Sequence, residues 1–266
     1  MKKIRILHSN DIHADFFSNE EDGHSDILSL ECAILSHKNE NTLYFIAGDV
    51  LTGSMIDMEY KGISSFELLN SLAPDLMCVG NHEFDYGPAW PLLLEKVADF
   101  PLVCANAYIQ GTSKRLFKPY QIFTLNGLTL LVIGLLTDST EFKLKQQKSD
   151  HLIDIKEASN IEVEKVLSLP ELKEMDIDLT ICLTHLGHKE DVELAKSLKE
   201  KSGIDIIIGG HSHTLMNEPI LENGILIVQA GSGADHLGCF DIIVNEENNN
   251  IEEFTWKLLN TSDYMV

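Results

Sequence analysis

Arginine is almost absent from this sequence. Of its 266 residues only Arg5 and Arg115 are arginines, and the formal net charge is -22, with a pI near 4.7. A surface this acidic repels a phosphate backbone, which argues against a nucleic acid polymer as partner. A small anionic substrate would need positive charge inside its site, and with so little arginine we expect a bound metal to supply it.

Cysteine and long apolar runs are also scarce. The five cysteines are scattered and lack a CxxC spacing, which favours buried free thiols in a reducing compartment over disulfides or a zinc knuckle. No stretch approaches the ~18 apolar residues of a membrane span, and the apolar run after Met1 is too short for a secretory signal. We therefore expect a soluble, cytoplasmic protein without a membrane partner.

Apolar residues nevertheless make up 44% of the chain, enough for the core of one large domain. Apolar runs of strand length alternate with helical spacing as far as Ile208, and the pattern turns all-β from Pro219. The predicted strands are 4–9, 42–47, 75–80, 101–105, 120–125, 128–136, 179–183, 204–208, 220–221, 225–228, 237–244 and 251–259. The predicted helices are 25–37, 64–72 with Ser64 as N-cap, 88–98, 157–175 with a break at Pro170, and 191–201. We interpret residues 1–266 as a single α/β domain with two packed sheets and helices outside.

Five of the predicted strands lead into a carboxylate, an imidazole or an amide. These residues are Asp11 and His13, Asp49, Asn81 and His82, His185, and His211 and His213. Alone, each is more typical of a turn, a helix cap or a structural histidine. Together they predict one site, because ligands of α/β folds bind at the carboxyl ends of strands.

All of these residues except His82 are plausible metal ligands, seven in total. If the backbone stays extended across Asp11-x-His13 and His211-x-His213, side chains two apart point the same way and can share a metal. The mixed donor set suits zinc, manganese or iron without selecting one. Seven ligands exceed a tetrahedral site but suit two divalent ions that share a carboxylate, an arrangement used for phosphoryl-ester hydrolysis.

Other polar residues near these segments have simpler interpretations. His8 and His24 fall outside the pattern and are expected to be structural. His188 and Asp191 lie close to His185 in the sequence, and we expect them to be loop or helix-start residues.

Four longer motifs contain the predicted ligands. They are Ser9-Asn10-Asp11-Ile12-His13, Gly80-Asn81-His82-Glu83-Phe84-Asp85, Thr184-His185-Leu186-Gly187 and Gly210-His211-Ser212-His213. In this order the motifs resemble those of the calcineurin-like metallophosphoesterase superfamily. In their full residue pattern they resemble the N-terminal catalytic domain of bacterial 5′-nucleotidases and 2′,3′-cyclic phosphodiesterases. The resemblance implies a four-layer αββα sandwich in which two mixed sheets pack face to face.

The resemblance also implies roles for individual residues. Asp11, His13, Asp49 and His213 would hold one metal. Asp49, Asn81, His185 and His211 would hold the other, with Asp49 bridging. A hydroxide between the ions would attack phosphorus in line, and Asn81 and His82 would contact the phosphate. His82 would stabilise the transition state or protonate the leaving oxygen, oriented by Asp85.

The predicted activity is that of a 5′-nucleotidase-like phosphomonoesterase acting on a small phosphate ester, most simply a nucleotide. A 2′,3′-cyclic nucleotide phosphodiesterase is the alternative. A non-catalytic metal-binding scaffold of the same fold is a second one, although a scaffold would be expected to have lost ligands. The nucleotidases that this chain resembles usually carry a C-terminal domain that recognises the nucleotide. This chain stops at Val266, so we expect that domain to be missing or to be supplied separately.

Overall fold

The computed structural model describes residues 1–16, 27–140, 153–198, 203–245 and 250–264. In chain order its strands are β1 (Lys2–Ser9), β2 (Thr42–Ala47), β3 (Leu76–Cys78), β4 (Leu102–Val103), β5 (Ala107–Ile109), β6 (Tyr120–Leu125), β7 (Leu128–Leu136), β8 (Ile153–Ile155), β9 (Leu179–His185), β10 (Ile206–Ile208), β11 (Ile220–Glu222), β12 (Ile225–Val228), β13 (His236–Val244) and β14 (Ile251–Asn260). The helices are α1 (Ile27–His37), α2 (Met55–Tyr60), α3 (Ile63–Leu72), α4 (Trp90–Val97), α5 (Asn160–Leu167), α6 (Pro170–Lys173) and α7 (His188–Ser197), with 3-10 turns at His82–Phe84 and Thr261–Tyr264.

Two six-stranded sheets are built from these strands. The first has the order β14-β13-β1-β2-β3-β4 and the second β11-β12-β10-β9-β7-β6. Both are mixed: β1 to β4 run parallel, as do β7, β9, β10 and β12, while β13 and β14 of the first sheet and β6 and β11 of the second pair antiparallel with their neighbours. The parallel strands at the centre of each sheet therefore bring their carboxyl ends to one edge.

Side chains alternate between two separate cores along each strand, as the period of two requires. Ile4, Ile6 and Phe45 of the first sheet share a buried cluster with Val132 and Ile181 of the second, so the two sheets pack face to face. The alternate residues of the first sheet pack on α1, α3 and α4. Those of the second pack on α5, α6 and α7. The predicted αββα sandwich is thus confirmed.

Several local predictions hold as well. The β6–β7 hairpin turns at Asn126-Gly127, where both residues have positive φ, as expected for this turn. All five cysteines are free, and four of them are buried. Within the described ranges, every helix falls short of the length and apolar character needed to cross a membrane.

Other local predictions are wrong. Helix α3 begins at Ile63 after Gly62, which has φ 82°, so Ser64 is not its N-cap. Helix α7 begins at His188 rather than Asp191, and α4 begins at Trp90. Helix α2 and the small sheet of β5 with β8 were not predicted, because both are too short to show a hydrophobic period. The residue predicted as a structural histidine at position 24 lies outside the described ranges.

Candidate metal centre

Every predicted ligand lies where a strand ends. Asp11 and Asp49 follow β1 and β2, Asn81 follows β3, His185 is the last residue of β9, and His211 follows β10. The first three belong to one sheet and the last two to the other. Because the sheets pack face to face, the two sets meet at the shared edge.

Side chains from the two sheets form three overlapping groups at this edge. Within each group the ligand atoms lie within 4.8 Å of one another. The groups are Asp11, His13 and His213; Asp49, His185 and His211; and His13, Asp49 and His82. The first two match the ligand sets that the resemblance implied, apart from Asn81 and the shared Asp49. The third group places His82 beside one residue of each, namely His13 of the first group and Asp49 of the second.

The first group is centred on Asp11. The Oδ1 atom of Asp11 lies 3.4 Å from His213 Nε2 and 3.9 Å from His13 Nε2. The two Nε2 atoms are 3.0 Å apart. One small cation would be within reach of all three side chains.

The second group is centred on Asp49. His185 Nε2 lies 2.9 Å from Asp49 Oδ2 and 3.9 Å from Asp11 Oδ1, so it faces both groups. The rings of His185 and His211 have centroids 5.1 Å apart. The side chains of Asp11 and Asp49 are both completely or almost completely buried, so neither carboxylate has much water around it.

The backbone is not extended across Asp11-x-His13 and His211-x-His213, so the condition under which side chains two apart point the same way is not met. Asp11 and His13 have φ of 53° and 54°, His211 and His213 have 78° and 52°, and Asp49 has 53°. These left-handed conformations cost about 1 kcal/mol or more for each residue that is not glycine. The paired side chains do meet, but left-handed turns rather than strand alternation bring them together. Such a concentration of strained residues is typical of a functional site.

Backbone carbonyl groups orient the rings of buried His185 and half-buried His13. His185 Nδ1 lies 2.7 Å from the carbonyl oxygen of Ala47, and His13 Nδ1 lies 3.1 Å from that of Leu51. A ring that donates through Nδ1 presents the lone pair of Nε2. In both rings Nε2 points towards the carboxylates, and once it is deprotonated its lone pair is available to a cation, which is the usual arrangement of a metal-binding histidine.

Glycine lets the strand ends approach this closely. Gly48 has φ 79°, and a Cβ atom on it would lie 2.6 Å from Nδ1 of His185. A side chain at this position would displace the ring that faces Asp49.

The charges of the cluster shift its pKa values strongly. Burial alone would raise the pKa of Asp49, but the adjacent His185 outweighs it and holds that pKa below its usual range. Burial alone would lower the pKa of His185, but Asp49 and Asp11 outweigh it and raise the value to about 10. The two carboxylates thus require positive charge next to them, and a proton on His185 supplies it. A divalent cation would supply it equally well.

The donor set fits such a cation. Asn81 Oδ1 is buried and finds no hydrogen-bond partner within the described part of the chain. A neutral His185 would point a lone pair at a carboxylate oxygen only 2.9 Å away, which is repulsive unless a cation lies between them. Carboxylate, imidazole and amide oxygen donors together suit a divalent ion of the zinc, manganese or iron type.

Asn81 and His82 share this edge because the chain turns at His82–Phe84. The backbone N–H of His82 donates to Asp49 Oδ1 at 2.8 Å, and His82 Nε2 lies 3.9 Å from Asp49 Oδ2. His82 Nδ1 is 2.6 Å from Asp85 Oδ2. Asp85 thus sits behind His82 as predicted, and the Nε2 atom faces the centre.

Glu83, which lies in the same motif, was given no role from the sequence. It is completely buried, and its carboxylate accepts backbone N–H groups from Gly80 at 2.7 Å, Val50 at 2.9 Å and Asp49 at 3.1 Å. Burial and the charge on Asp49 raise its pKa to about 7. Glu83 ties together the two loops that carry Asp49 and Asn81.

Two buried amides, also missed, brace the other ligands. Asn10 donates to Asp11 Oδ2 at 2.7 Å and to the carbonyl of Gly231 at 2.6 Å. Gln229 donates to the carbonyl of Gly210 at 2.8 Å and accepts from the hydroxyl of Ser212. Amides are too common in sequences for these two to have been selected without the fold.

The remaining predictions for polar residues hold. His188 and Asp191 occupy the first turn of α7, and Asp191 accepts the hydroxyl of Thr184 at 2.6 Å. His8 is fully buried between the sheets and stacks on Trp256 with a centroid distance of 5.2 Å. Neither His8 nor His188 belongs to any of the three candidate metal groups.

Comparisons with known proteins agree with this geometry. The family model described as calcineurin-like phosphoesterase matches residues 4–215. The 5′-nucleotidase of Vibrio cholerae is 31% identical over 272 residues, which is 90% of this chain and 48% of that protein. Protein UshA of Escherichia coli is 32% identical over 273 residues, again 90% and 48%.

The same picture comes from solved structures. The crystal structure of a 5′-nucleotidase precursor from Thermus thermophilus superposes with a TM-score of 0.81 at 25% identity, covering 97% of this chain and 54% of that one. The chain spans about half the length of these relatives.

Proposed function

The chain belongs to the calcineurin-like phosphoesterase family. From that premise we propose that it is a metal-dependent phosphoester hydrolase, specifically a two-metal phosphomonoesterase of the 5′-nucleotidase type. The observation that carries the proposal is that the third ligand group links the groups around Asp11 and Asp49, because it shares His13 with the first and Asp49 with the second. His185 Nε2 lies within 3.9 Å of both carboxylates, so the two groups form one continuous centre.

We assign Asp11, His13, Asp49 and His213 to the first metal and Asp49, Asn81, His185 and His211 to the second. Asp49 is assigned to both metals, since its Oδ2 lies 2.9 Å from His185 Nε2 while it also groups with His13. When bound, the ions lower the pKa of a water and take up charge on the phosphoryl oxygens.

The protein groups around this centre have separate tasks. The amide of Asn81 and the ring of His82 bind the phosphoryl group at the mouth of the site. His82 then donates its Nε2 proton to the leaving oxygen, because its Nδ1 is already bonded to Asp85. The Asp85 carboxylate stabilises the protonated ring and fixes its direction, which is the usual task of an orienting acid in such a pair.

The substrate is proposed to be a small phosphate ester, and a nucleotide in particular. Relatives named 5′-nucleotidase and trifunctional nucleotide phosphoesterase support this choice. Since the chain spans only half of the former, recognition of the nucleoside by a separate domain remains a proposal. The cytoplasmic location also remains a prediction.

The test is a turnover assay of the purified protein loaded with manganese, zinc or iron. p-Nitrophenyl phosphate, bis-p-nitrophenyl phosphate and 5′-AMP are the first substrates, followed by a screen of phosphorylated metabolites. The proposal expects the monoesters to be hydrolysed faster than the diester. Faster hydrolysis of the diester and of 2′,3′-cyclic AMP would favour the phosphodiesterase alternative. If no ester is hydrolysed with any metal, the scaffold alternative replaces the enzyme.

A further inference from the structure

Thr52 occupies an unusual position between the predicted acid and the metal centre. It has φ 69°, a conformation that is a genuine outlier for a β-branched residue. The strain of such a residue persists only where surrounding contacts impose it, and it clusters at functional sites.

Three contacts impose this conformation, and each reaches a different part of the site. The Thr52 hydroxyl donates to Asp85 Oδ2 at 2.7 Å. The Thr52 carbonyl oxygen lies 3.2 Å from His13 Nδ1. The Thr52 backbone N–H donates to the buried carboxylate of Asp57 at 2.9 Å.

The hydroxyl contact bears directly on the acid. Asp85 Oδ2 is also the oxygen that lies 2.6 Å from His82 Nδ1. Thr52 and His82 therefore donate to one and the same oxygen, so the hydroxyl fixes the rotation of the carboxylate that holds the His82 ring. Asp57 in turn anchors Thr52, since it is completely buried and also accepts the Ser65 hydroxyl at 2.8 Å.

We infer that Thr52 is a positioning residue that aims His82 at the leaving oxygen through Asp85, while its carbonyl orients the metal-facing ring of His13. The inference rests on the proposed function, because it assumes that His82 is the acid. Thr52 thus has two separate tasks. Its hydroxyl holds Asp85 for proton transfer by His82, and its backbone carbonyl holds His13 for metal binding.

The test compares Thr52→Val, which keeps the β-branched shape and loses the hydroxyl, with Thr52→Ser, which keeps the hydroxyl. The metal-loaded enzymes are assayed on p-nitrophenyl phosphate and on an alkyl phosphate. A nitrophenolate leaves without a proton, whereas an alkoxide needs one, so only the second reaction depends on a well-aimed acid. Thr255→Val removes an exposed hydroxyl on β14 and serves as the control.

We expect Thr52→Val to lower kcat/KM for the alkyl ester by about tenfold to a hundredfold, the usual consequence of a misplaced catalytic group, and that for the nitrophenyl ester by less than about threefold. Thr52→Ser should restore the alkyl activity. Metal content should equal that of the wild type in both variants, because the Thr52 carbonyl remains. In a His82→Asn background, Thr52→Val should cause no further selective loss.

Equal losses on both esters, a loss of metal, or a failure of Thr52→Ser to rescue would overturn the inference. If His82→Asn lowers the activity on both esters by the same factor, His82 is not the acid and the inference about Thr52 is wrong as well. The proposal that the protein hydrolyses phosphate esters would not be affected by that result. A readout without turnover is the downfield proton NMR signal of the His82 ring, identified by its loss in His82→Asn. It should weaken in Thr52→Val and persist in Thr52→Ser, and an unchanged signal in Thr52→Val contradicts the inference even if no ester is hydrolysed. Thr52→Ala replaces Thr52→Val should the latter not fold.

Discussion

His8 makes a sharp prediction about pH and stability. Its ring is completely buried, and neither ring nitrogen has a hydrogen-bond partner within the described part of the chain. Burial lowers its pKa from 6.5 to about 3. The folded protein therefore keeps His8 neutral under conditions in which the unfolded chain already binds a proton.

The sign and size of the effect follow from this difference. The stability that His8 contributes is present above its unfolded pKa of 6.5 and is lost as the pH falls toward its folded pKa of about 3. Since one pKa unit corresponds to about 1.4 kcal/mol, lowering the pH from about 7 to about 5 costs the native state roughly 2 kcal/mol through this residue. That is a substantial part of the ~5–15 kcal/mol by which domains are stable.

The assay is urea unfolding of the metal-free protein at several pH values, for the wild type and for His8→Phe. A phenyl ring retains the stacking on Trp256 but cannot be protonated. Any strain from the larger ring is the same at each pH and cancels in the comparison. The free energy of unfolding of His8→Phe should fall by about 2 kcal/mol less than that of the wild type. Equal falls in both proteins would refute the reasoning, since His8 would then bind its proton equally in both states.

Three further predictions concern the supports of the metal centre. Glu83→Gln at about pH 8 should destabilise the protein by about 2–6 kcal/mol in urea unfolding, since two of the N–H donors would face an amide NH₂, whereas the exposed Glu67→Gln should change little. Asn10→Leu should weaken metal binding about tenfold to a hundredfold by titration, because Asp11 loses its brace. Gly48→Ala should lower metal affinity by displacing His185, and unchanged affinity would show that the ring can move.

Much of the candidate site was predictable because its carboxylates and imidazoles stand directly after apolar segments of strand length, where polar residues are conspicuous in the sequence. Asp11, Asp49 and His185 all follow apolar runs, and the carboxyl ends of parallel strands can only meet at one edge. The alternation of predicted strands and helices along the chain likewise predicted two packed sheets with helices outside, and the structure has them.

The unpredicted part depends on backbone conformation and on contacts distant in the sequence. Nothing in Asp11-x-His13 signals that both residues adopt φ near 53°, because only the packed sheets impose it. The bond from Thr52 to Asp85 spans 33 positions, and the contact between Asn10 and Gly231 spans 221. Six-residue α2 is shorter than the window in which helical spacing can be detected.

Metal content and turnover, determined together for the wild type, Asp49→Asn and His82→Asn, distinguish the metal ligands from the acid. We expect two ions per chain in the wild type and in His82→Asn, with most of the turnover lost in the latter. We expect Asp49→Asn to lose both metal and turnover, because Asp49 belongs to the group around His185 and also groups with His13. An emptied site in His82→Asn, or full metal content in Asp49→Asn, would contradict the division between residues that hold metal and the residue that acts on substrate.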